Sequence, residues 1–510
     1  MLLLIAIIFI IAGCHNPTNN LKITKLSWCI PNNPECLDPG LCGPLDGTDI
    51  INNTFEGLFR VSTKDTPTLA AAESYSISKD NKVYIFKIKD DAYWSDGKKL
   101  LPIDFEFAWK RVVDSNIPAP KKNLLKPIKN ALDIIEGKKD KNTLGVIALN
   151  DKYLKVELEY PINYLPHLLS LITFMPVRND LVDNEGLWAK NPITSISNGP
   201  FCLNYLSNTH LILKKNNFYH GSNNSNIDKV TVKFIDDANT AYIEYISNKL
   251  DIIDNIPLEE GKRLALDPEF ISVPYYGLYF YSFNLTIDCL KDRRVRLAIS
   301  KSIDRNLLVE KIRKINEVPA NQYIPPGLTY DFNYNIYNPD EARKLFKEAG
   351  FNQNNKFPTI EIFFNSENMN KIIAEVIQNM LNKNLGINVS LTGQEWSVFI
   401  EKRKHLQYNG LVKNSHFYEY MNPLSFFEMF KSEGESYSGY VNKNFDLLLN
   451  KFNHNQIDTE HMFELKSIIE EDYPIIPLFF YSSSSLVKKY IKNYMINSIG
   501  YKYLGEIIIP

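Results

Sequence analysis

The chain has no excess of basic charge and no long apolar run beyond its amino terminus. Lysine and arginine number 57 against 59 aspartates and glutamates, which gives a formal net charge of -2. Such a chain has no broad basic field to attract a phosphate backbone, so we expect no nucleic acid partner. Its composition, 44% hydrophobic and 12% aromatic, is that of an ordered protein and excludes a disordered one.

The sequence also lacks the motifs of the common catalytic and cofactor-binding classes. It contains no G-x-S-x-G, H-E-x-x-H, G-x-G-x-x-G or Walker A pattern. Its eight histidines are thinly spread and do not indicate a metal site. Catalytic triads are defined by geometry and not by chain order, so this absence only lowers the expectation of an enzyme. We expect a binding protein with no catalytic residues, metal or cofactor.

Linkers are missing as well. At 510 residues the chain is too long for one hydrophobic core, because single cores stop growing at roughly 250 to 300 residues. No long Gly-, Ser- or Pro-rich segment divides it, and no repeat of fixed period is present. This pattern favours two or three interleaved domains, between which the chain crosses more than once.

What is present begins with a short apolar segment that ends in Ile11-Ala12-Gly13-Cys14. The segment is shorter than the roughly 20 residues of a membrane-spanning helix and is typical of an export signal, although no Lys or Arg precedes it. Its ending resembles the lipobox of bacterial lipoproteins, in which the cysteine carries lipid. We expect residues 1–13 to be a signal peptide, 14–20 a tether, and Cys14 the lipid anchor of a periplasmic protein. A buried strand is the alternative.

Five further cysteines follow Cys14. An oxidising envelope allows one disulfide among the close set, and the sequence leaves the pairing open. The spacings within this set, six and five intervening residues, fit no zinc-binding pattern. The close set is Cys29, Cys36 and Cys42, and the two distant cysteines are Cys202 and Cys289.

The first half of the chain favours strands. Residues 75–77 and 82–89 flank a turn at Asp80-Asn81, and apolar residues alternate along the second segment, which predicts a hairpin. The same two-residue alternation recurs at 154–160.

The second half alternates helices and strands. Asn338 ahead of a proline and two acids predicts a helix that ends at Gly350. Ser366 is predicted to cap a second helix, which ends near Gly386 and leads into a strand at 387–391. A helix that leads directly into a strand is the unit of an α/β sheet.

Six segments in a fixed order carry a family likeness, and they cover nearly all of the chain after the signal. They are FEGLF (55–59), WSDGKKLLPIDFEFAWKR (94–111), SNGPF (197–201), DRRVRLAISKSIDR (292–305), NPDEARKLFKEAGF (338–351) and LGINVSLTGQEWSVFIEKR (385–403). Together they resemble the oligopeptide-binding proteins of bacterial ABC importers, the family 5 solute-binding proteins.

The resemblance implies an α/β architecture, the type II periplasmic binding protein fold, in which a hinge joins two α/β lobes and an extra α+β domain is added. It places lobe I at 21–50, 178–272 and 480–510, the extra domain at 51–177 and lobe II at 273–479. Interleaving of this kind agrees with the missing linkers.

The resemblance also implies a function. A monomer, lipid-anchored to the membrane, would capture short peptides in an interlobe cleft and deliver them to the permease subunits of an ABC transporter. One alternative is a relative specialised for a single ligand, above all a cell-wall muropeptide that contains diaminopimelate. A more distant alternative is an envelope enzyme or an interaction protein on the same fold.

In this family an aspartate binds the ammonium group of the peptide, within a segment that matches SHFYEYMNP at 415–423. Alignment on the proline places Glu419 at that position. His416 stands where tryptophan is usual, and Phe417 and Tyr418 complete the predicted contact segment. The alternative for Glu419 is a solvated loop acid, since glutamate is seldom buried unless paired.

Further site residues follow from the same resemblance. Lys413 stands where relatives have an arginine and can meet a carboxylate as a point charge without bidentate geometry. Asn370 stands where some relatives have a histidine near the carboxylate of the ligand. The segment 275–284 matches part of the cleft lining, so Tyr279, Tyr281 and Asn284 are candidate ligand contacts. The alternative for the two tyrosines is sheet core.

Overall fold

The structure is a computed structural model of the chain. It describes residues 24–510 except for 44, 63, 184, 222, 223, 326–336, 353, 419, 421, 433, 435 and 455–458. The predicted signal peptide, the tether and Cys14 lie outside the described residues, as does Glu419. Among the residues it does describe, no helix is both long and apolar enough to cross a membrane.

The strands, in chain order, are β1 Lys25–Ile30, β2 Phe59–Val61, β3 Pro67–Leu69, β4 Ala72–Ile77, β5 Val83–Ile88, β6 Val146–Ala148, β7 Tyr153–Glu157, β8 Phe201–Leu206, β9 His210–Lys215, β10 Lys229–Phe234, β11 Ile252–Ile253, β12 Phe270–Phe283, β13 Val318–Pro319, β14 Ile360–Asn365, β15 Val389–Gln394, β16 Gly410–Phe417 and β17 Ile475–Val487.

The α-helices are α1 Leu45–Thr54, α2 Pro102–Val113, α3 Ala131–Ile135, α4 Leu165–Leu168, α5 Ala238–Ile246, α6 Gly261–Leu264, α7 Asp288–Lys291, α8 Arg293–Lys301, α9 Arg305–Leu307, α10 Pro339–Glu348, α11 Asn368–Leu385, α12 Trp396–Lys404, α13 Leu424–Phe427, α14 Lys443–His454 and α15 Thr459–Asp472. A π-helical segment, Leu308–Arg313, continues α9.

One mixed sheet of eleven strands runs through the molecule, in the order β15-β14-β16-β12-β17-β11-β1-β10-β9-β8, with β13 paired to β17. β1 is parallel to β10 and β11, and β14 is parallel to β15 and β16. The other neighbours in this sheet are antiparallel. Helices and a mixed sheet of this kind form the α/β architecture that the sequence predicts.

The long strands β12 and β17 connect the two halves of this sheet. They pair with each other, while β17 also pairs with β11 and β12 also pairs with β16. Their ladder is irregular where they cross: Pro274 pairs with Ser482, but the next pair is Leu278 with Phe480. Such an irregularity bends a strand locally. The predicted lobe boundaries near 272 and 480 lie beside this bend, and the division into domains stays a prediction.

A separate four-stranded antiparallel sheet, β4-β5-β7-β6, lies within the predicted extra domain. The predicted hairpin is confirmed, since β4 and β5 pair antiparallel and Asn81 in the turn has a φ of 57°. Tyr84, Phe86 and Ile88 are buried on one face, as their alternation indicates.

The two predicted helices are present, but one begins differently. Asn338 accepts a hydrogen bond from the Glu341 amide and caps α10, as predicted. The prediction that Ser366 caps α11 is wrong: Glu367 is the cap residue. The Ser366 amide donates to the Gln394 carbonyl at 2.7 Å and so extends the β14–β15 ladder by one more residue. Gly386, with a φ of 68°, ends α11 as predicted.

Candidate ligand-binding site

One edge of β16 is paired along its length and the other is paired only at its start. β12 covers the first edge. On the second edge, the pairing with β14 ends where Phe363 lies opposite Val412, whereas β14 continues alongside β15 as far as Asn365. Within the described part of the chain, residues 413–417 therefore have no neighbouring strand on the β14 side. This unpaired edge is the side of β16 that faces away from the crossing strand β12.

The side chains of this segment alternate between two faces of the sheet. On one face, the Lys413 ammonium nitrogen lies 5.4 Å from the centre of the Tyr279 ring. On the same face, the hydroxyl oxygens of Ser415 and Tyr481 are 2.8 Å apart. Phe417 follows on this face and is 36% exposed. A cation, a hydroxyl and a half-exposed ring thus lie in a row along the unpaired edge.

Three rings, those of Tyr279, Phe479 and Tyr481, form an aromatic face beneath this row. Tyr279 and Phe479 stack with their centres 4.6 Å apart, and Tyr481 packs at 5.1 Å from Phe417 and at 5.5 Å from Phe479. Gly277 lies opposite Phe417 in the ladder, and a Cβ there would come within 2.5 Å of the Phe417 ring. The glycine therefore makes room for the phenylalanine.

Lys413 is a largely buried cation on this face. Its ammonium forms no hydrogen bond or ion pair with any described residue. Burial lowers the pKa of Lys413 to about 8; the Glu367 carboxylate opposes this change, and the positive charges of Arg403 and Arg313 add to it. Holding such a cation in a poorly solvated place costs free energy. An anionic group brought in from outside would reduce that cost.

Arg313, on the same side of the sheet, is paired within the fold. Its guanidinium carbon lies 5.3 Å from the centre of the Phe479 ring, and its Nε donates to the Glu317 carboxylate at 2.7 Å. Burial raises the pKa of Glu317, and Arg313 opposes this rise. Of these two cations on this side, Lys413 is the one left for a ligand.

Asn370 and the two candidate tyrosines lie in the interior. The Tyr279 hydroxyl donates to the Asn370 side-chain oxygen at 3.0 Å, and the Asn370 amide donates to Asn365 at 2.9 Å and to Glu367 at 3.1 Å. Tyr279 and Tyr281 are 2% and 0% exposed. Their role as ligand contacts stays a prediction, and in this structure they support the Lys413 face from below.

His416 and Tyr418 lie away from the Lys413 face. The His416 Nε2 donates to the Ser425 carbonyl at 3.3 Å, and its ring meets the Tyr418 ring edge-on at 5.3 Å. The Tyr418 hydroxyl donates to the Tyr323 carbonyl at 3.5 Å, its ring packs on Phe426, and burial raises its pKa well above the ordinary value. The structure thus separates these two residues from Lys413 and Phe417.

Asn284 lies at the far end of β12 and is not brought together with the other candidates. Its amide donates to the carbonyls of Tyr408 at 2.7 Å and Leu406 at 3.1 Å, and its oxygen accepts from the Thr286 amide and hydroxyl. These contacts fix a loop within the predicted lobe II. Its role as a ligand contact stays a prediction.

Tyr418 and Tyr420, the neighbours of Glu419 in the sequence, each contact another part of the fold. Glu419 and Met421 lie outside the described residues, but Tyr418 donates its amide to the Tyr276 carbonyl at 2.8 Å. Tyr420 stacks on Tyr164 with ring centres 5.2 Å apart and planes 14° apart. Tyr420 belongs to the predicted lobe II and Tyr164 to the predicted extra domain, so this ring pair is a contact between the two predicted domains.

Sequence reasoning missed Phe479, Tyr481 and Arg313. Phe479 and Tyr481 alternate in the run IIPLFFYSSSS, which was a detectable strand pattern. No local signal indicates that this strand lies beside β12, and Arg313 enters the site from a π-helical segment.

One sheet continues through two α/β halves, and two strands cross between these halves. A charged aromatic face lies next to an unpaired strand edge. These features define the class, which is a two-lobed solute-binding protein. The chain belongs to the bacterial extracellular solute-binding proteins, family 5, whose sequence model matches residues 66–438. The predicted family is thereby confirmed.

Individual relatives agree with this assignment. The dipeptide-binding protein DppE of Bacillus subtilis is 31% identical over 486 residues, which cover 92% of this chain and 89% of DppE. The murein tripeptide binding protein MppA of Escherichia coli has a TM-score of 0.81 at 27% identity and covers 96% of this chain and 99% of its own. The oligopeptide-binding protein OppAIV of Borrelia burgdorferi has a TM-score of 0.81 at 30% identity, with coverage of 95% and 99%.

These similarities confirm the predicted type II periplasmic binding protein fold. They also confirm that the chain is a member of a non-enzymatic family whose proteins work outside the cytoplasm.

Proposed function

We propose that this protein captures short peptides between its lobes and delivers them to the permease of an ABC transporter. The observation that carries the proposal is the unpaired edge of β16 at residues 413–417, next to the Lys413 ammonium, which forms no ion pair with a described residue. The names of its relatives support it, since they are described as dipeptide-, oligopeptide- and murein tripeptide-binding proteins.

An unpaired strand edge favours a ligand with a backbone of its own. An extended peptide can add to such an edge as another strand, with main-chain hydrogen bonds that any sequence supplies. The half-exposed Phe417 ring offers an apolar contact for one side chain. Affinity would then depend mostly on features that all peptides share.

The termini of the peptide add charge to this recognition. Lys413 would bind the carboxylate, and Glu419 would bind the ammonium group, as the family resemblance implies. Lys413 and Glu419 are six positions apart in the sequence, so their Cα atoms are at most about 20 Å apart. If both residues bind termini of one ligand, that ligand is a short peptide.

Delivery would use the crossing strands β12 and β17. Ligand contacts on both sides of the bend at Pro274 favour a closed arrangement of the lobes, and the permease would recognise that closed form. Lipid on Cys14 would hold the protein at the membrane beside the permease.

A second candidate ligand is a cell-wall peptide that contains diaminopimelate. The periplasmic murein peptide-binding protein MppA of Escherichia coli is 29% identical over 92% of this chain. A specialised site would hold one dominant ligand, whereas a general site would hold many.

The test is mass spectrometry of small molecules released by denaturation from protein that lacks residues 1–14 and is purified under native conditions. A series of di- to pentapeptide masses supports general peptide capture, and one dominant mass with diaminopimelate supports the specialised alternative. The absence of any small molecule, together with no ligand-induced thermal stabilisation, would contradict the proposal. Lys413→Met should release less peptide, whereas Lys371→Met, an exposed lysine of α11, should match the wild type.

A further inference from the structure

Two cysteines meet in the loop between β1 and α1. Cys42 is 2% exposed and its thiol donates to the Cys36 carbonyl at 3.6 Å. Cys36 is half-buried and its thiol donates to the Asp38 carbonyl at 3.6 Å. The two thiols are also close enough that the Cys42 side chain is the largest of the effects that lower the pKa of Cys36. Two thiols in contact within one short loop can be joined by a disulfide where the Cβ atoms are close and the dihedral angle about the S–S bond is about 90°.

The surrounding backbone holds the pair in place. The amides of Leu41 and Cys42 donate to the Asp38 carbonyl at 3.1 and 2.9 Å, so the chain turns back on itself between the cysteines. Gly47 of α1 packs against both: a Cβ there would lie 2.3 Å from the Cys36 carbonyl oxygen and 2.7 Å from the Cys42 sulfur. The first turns of the helix therefore press directly on the cysteine pair.

The loop between the cysteines carries a buried ion pair. The Asp38 carboxylate accepts two hydrogen bonds from Arg111 of α2, at 3.0 and 2.8 Å, and a third from the Trp188 indole at 2.7 Å. Asp38 is 0% exposed. Displacing Asp38 would leave the Arg111 charge buried without a partner, which is costly. The loop therefore has to stay in this position for Asp38 to bind both Arg111 of α2 and Trp188.

We propose that Cys36 and Cys42 form an intramolecular disulfide outside the cytoplasm, made by exchange with the disulfide of an oxidising thiol–disulfide oxidoreductase, and that it clamps the loop that carries Asp38. The inference rests on the extracytoplasmic location of the family and is independent of the ligand.

The exchange proceeds in two steps. The Cys36 thiolate attacks one sulfur of the donor disulfide, forms a mixed disulfide and releases the other donor sulfur as a thiolate. The deprotonated Cys42 then attacks the Cys36 sulfur, and the second donor thiolate leaves. The cysteine pair gives up two protons and two electrons, and the donor disulfide is reduced to a dithiol.

The surroundings select this pair over the other cysteines. Cys36 is the more accessible thiol of the two, and the hydrogen bond from Cys42 is the largest of the effects that lower its pKa, which favours attack by its thiolate. Cys29 is 0% exposed in a different core cluster, and its thiol points toward the Ile30 and Ile235 carbonyls. Burial raises the pKa of Cys29 to about 12.

The first test is a peptide map of protein exported to an oxidising periplasm, purified without reductant and alkylated in denaturant. Cleavage after glutamate at Glu35 and Glu56 yields a 36–56 fragment that contains Cys36 and Cys42 but not Cys29. This fragment should be unalkylated and lighter by two hydrogen atoms than its reduced form. Alkylation of both cysteines without prior reduction would overturn the disulfide.

The second test measures the clamp. Reductant should lower the melting temperature of the wild type by about 2–4 °C. The double variant Cys36→Ser/Cys42→Ser should melt at one temperature with or without reductant, and Cys202→Ser should keep the wild-type sensitivity. Equal melting temperatures for oxidised and fully reduced wild type would overturn the clamp.

Discussion

Lys413 and Lys502 are both largely buried lysines, yet their pKa values are shifted in opposite directions. Burial lowers the pKa of Lys413 to about 8, and the Glu367 carboxylate opposes this change only in part. Burial acts on Lys502 in the same way, but Asp254 and Asp49 outweigh it and raise the pKa. The Lys502 ammonium lies 2.7 Å from Asp49 and 3.4 Å from Asp254.

The difference lies in what the fold supplies. At Lys502 the counter-charges belong to the chain, so the lysine is part of the architecture beside the crossing strands. At Lys413 no described residue forms an ion pair with the ammonium. A buried charge without an ion pair lowers the stability of the fold. Strongly perturbed pKa values cluster at functional sites, so the retention of this charge favours a functional role for Lys413. Lys502 is thus a structural lysine, whereas Lys413 is the one for which we propose a ligand.

The largest predicted effect is the loss of stability in Lys502→Met. The change leaves Asp49 and Asp254 buried without a cation, so we expect the free energy of unfolding to fall by about 3–5 kcal/mol at pH 7. Burial already raises the pKa of Asp49 against the opposing charge of Lys502, so without Lys502 this pKa should lie further above its unfolded value. Protonation then favours folding, and much of the loss should be recovered as the pH falls from 7 toward 4.

Urea unfolding at several pH values measures this effect, with Lys371→Met as the exposed control. A loss below about 1 kcal/mol at pH 7 would mean that the aspartates do not depend on Lys502.

Glu419→Gln tests the charge that would face the other end of the ligand. We expect it to weaken peptide binding by on the order of 2–5 kcal/mol, the scale for losing one member of a buried charged pair. Calorimetry with a tripeptide and its N-acetylated form gives the measurement. Acetylation should weaken binding to the wild type far more than to the variant, and the exposed Glu401→Gln provides the control. Unchanged affinity would remove Glu419 as the ammonium ligand.

Lys413→Met should separate ligand binding from stability. We expect affinity for peptides with a free carboxylate to fall by about 1.5–3 kcal/mol, the range for a hydrogen bond to a charged group. Stability of the unliganded protein at pH 7 should stay level or rise, because the variant removes a poorly solvated charge. Calorimetry and unfolding on the same samples test both points. Equal weakening for C-terminally amidated peptides would place the carboxylate elsewhere.

Local patterns in the sequence were sufficient for the elements but not for the site. The alternation of Tyr84 and Phe86, and the Asn338 cap, each follow from neighbours in the chain. Ser366 is not the cap, because its amide bonds to Gln394 and extends the β14–β15 ladder. The helix therefore begins one residue later than predicted. The aromatic face depends likewise on the pairing of β12 with β17 and on its irregular register, which no local pattern specifies. Family resemblance, not periodicity, is what indicated Lys413.

The smallest predicted effect is the pH dependence of peptide affinity. It tests the lowered pKa of Lys413 directly. Because Lys413 loses its proton near pH 8, its attraction for a carboxylate should fade above that pH, and affinity should fall by at most about tenfold per pH unit. Stability of the unliganded protein should move the other way. Between about pH 8 and the ordinary lysine pKa the unfolded chain binds more protons, so the free energy of unfolding rises with pH.

The amino group of a peptide also titrates near pH 8, so the wild type alone does not isolate Lys413. Lys413→Arg keeps its charge throughout this range, and the decline that it retains belongs to the ligand. Calorimetry between pH 7 and 9 on both proteins gives the contribution of Lys413 as the difference between the two slopes. Identical slopes would mean that Lys413 keeps its proton in the complex or does not meet the carboxylate, and binding of an amidated peptide decides between these two cases.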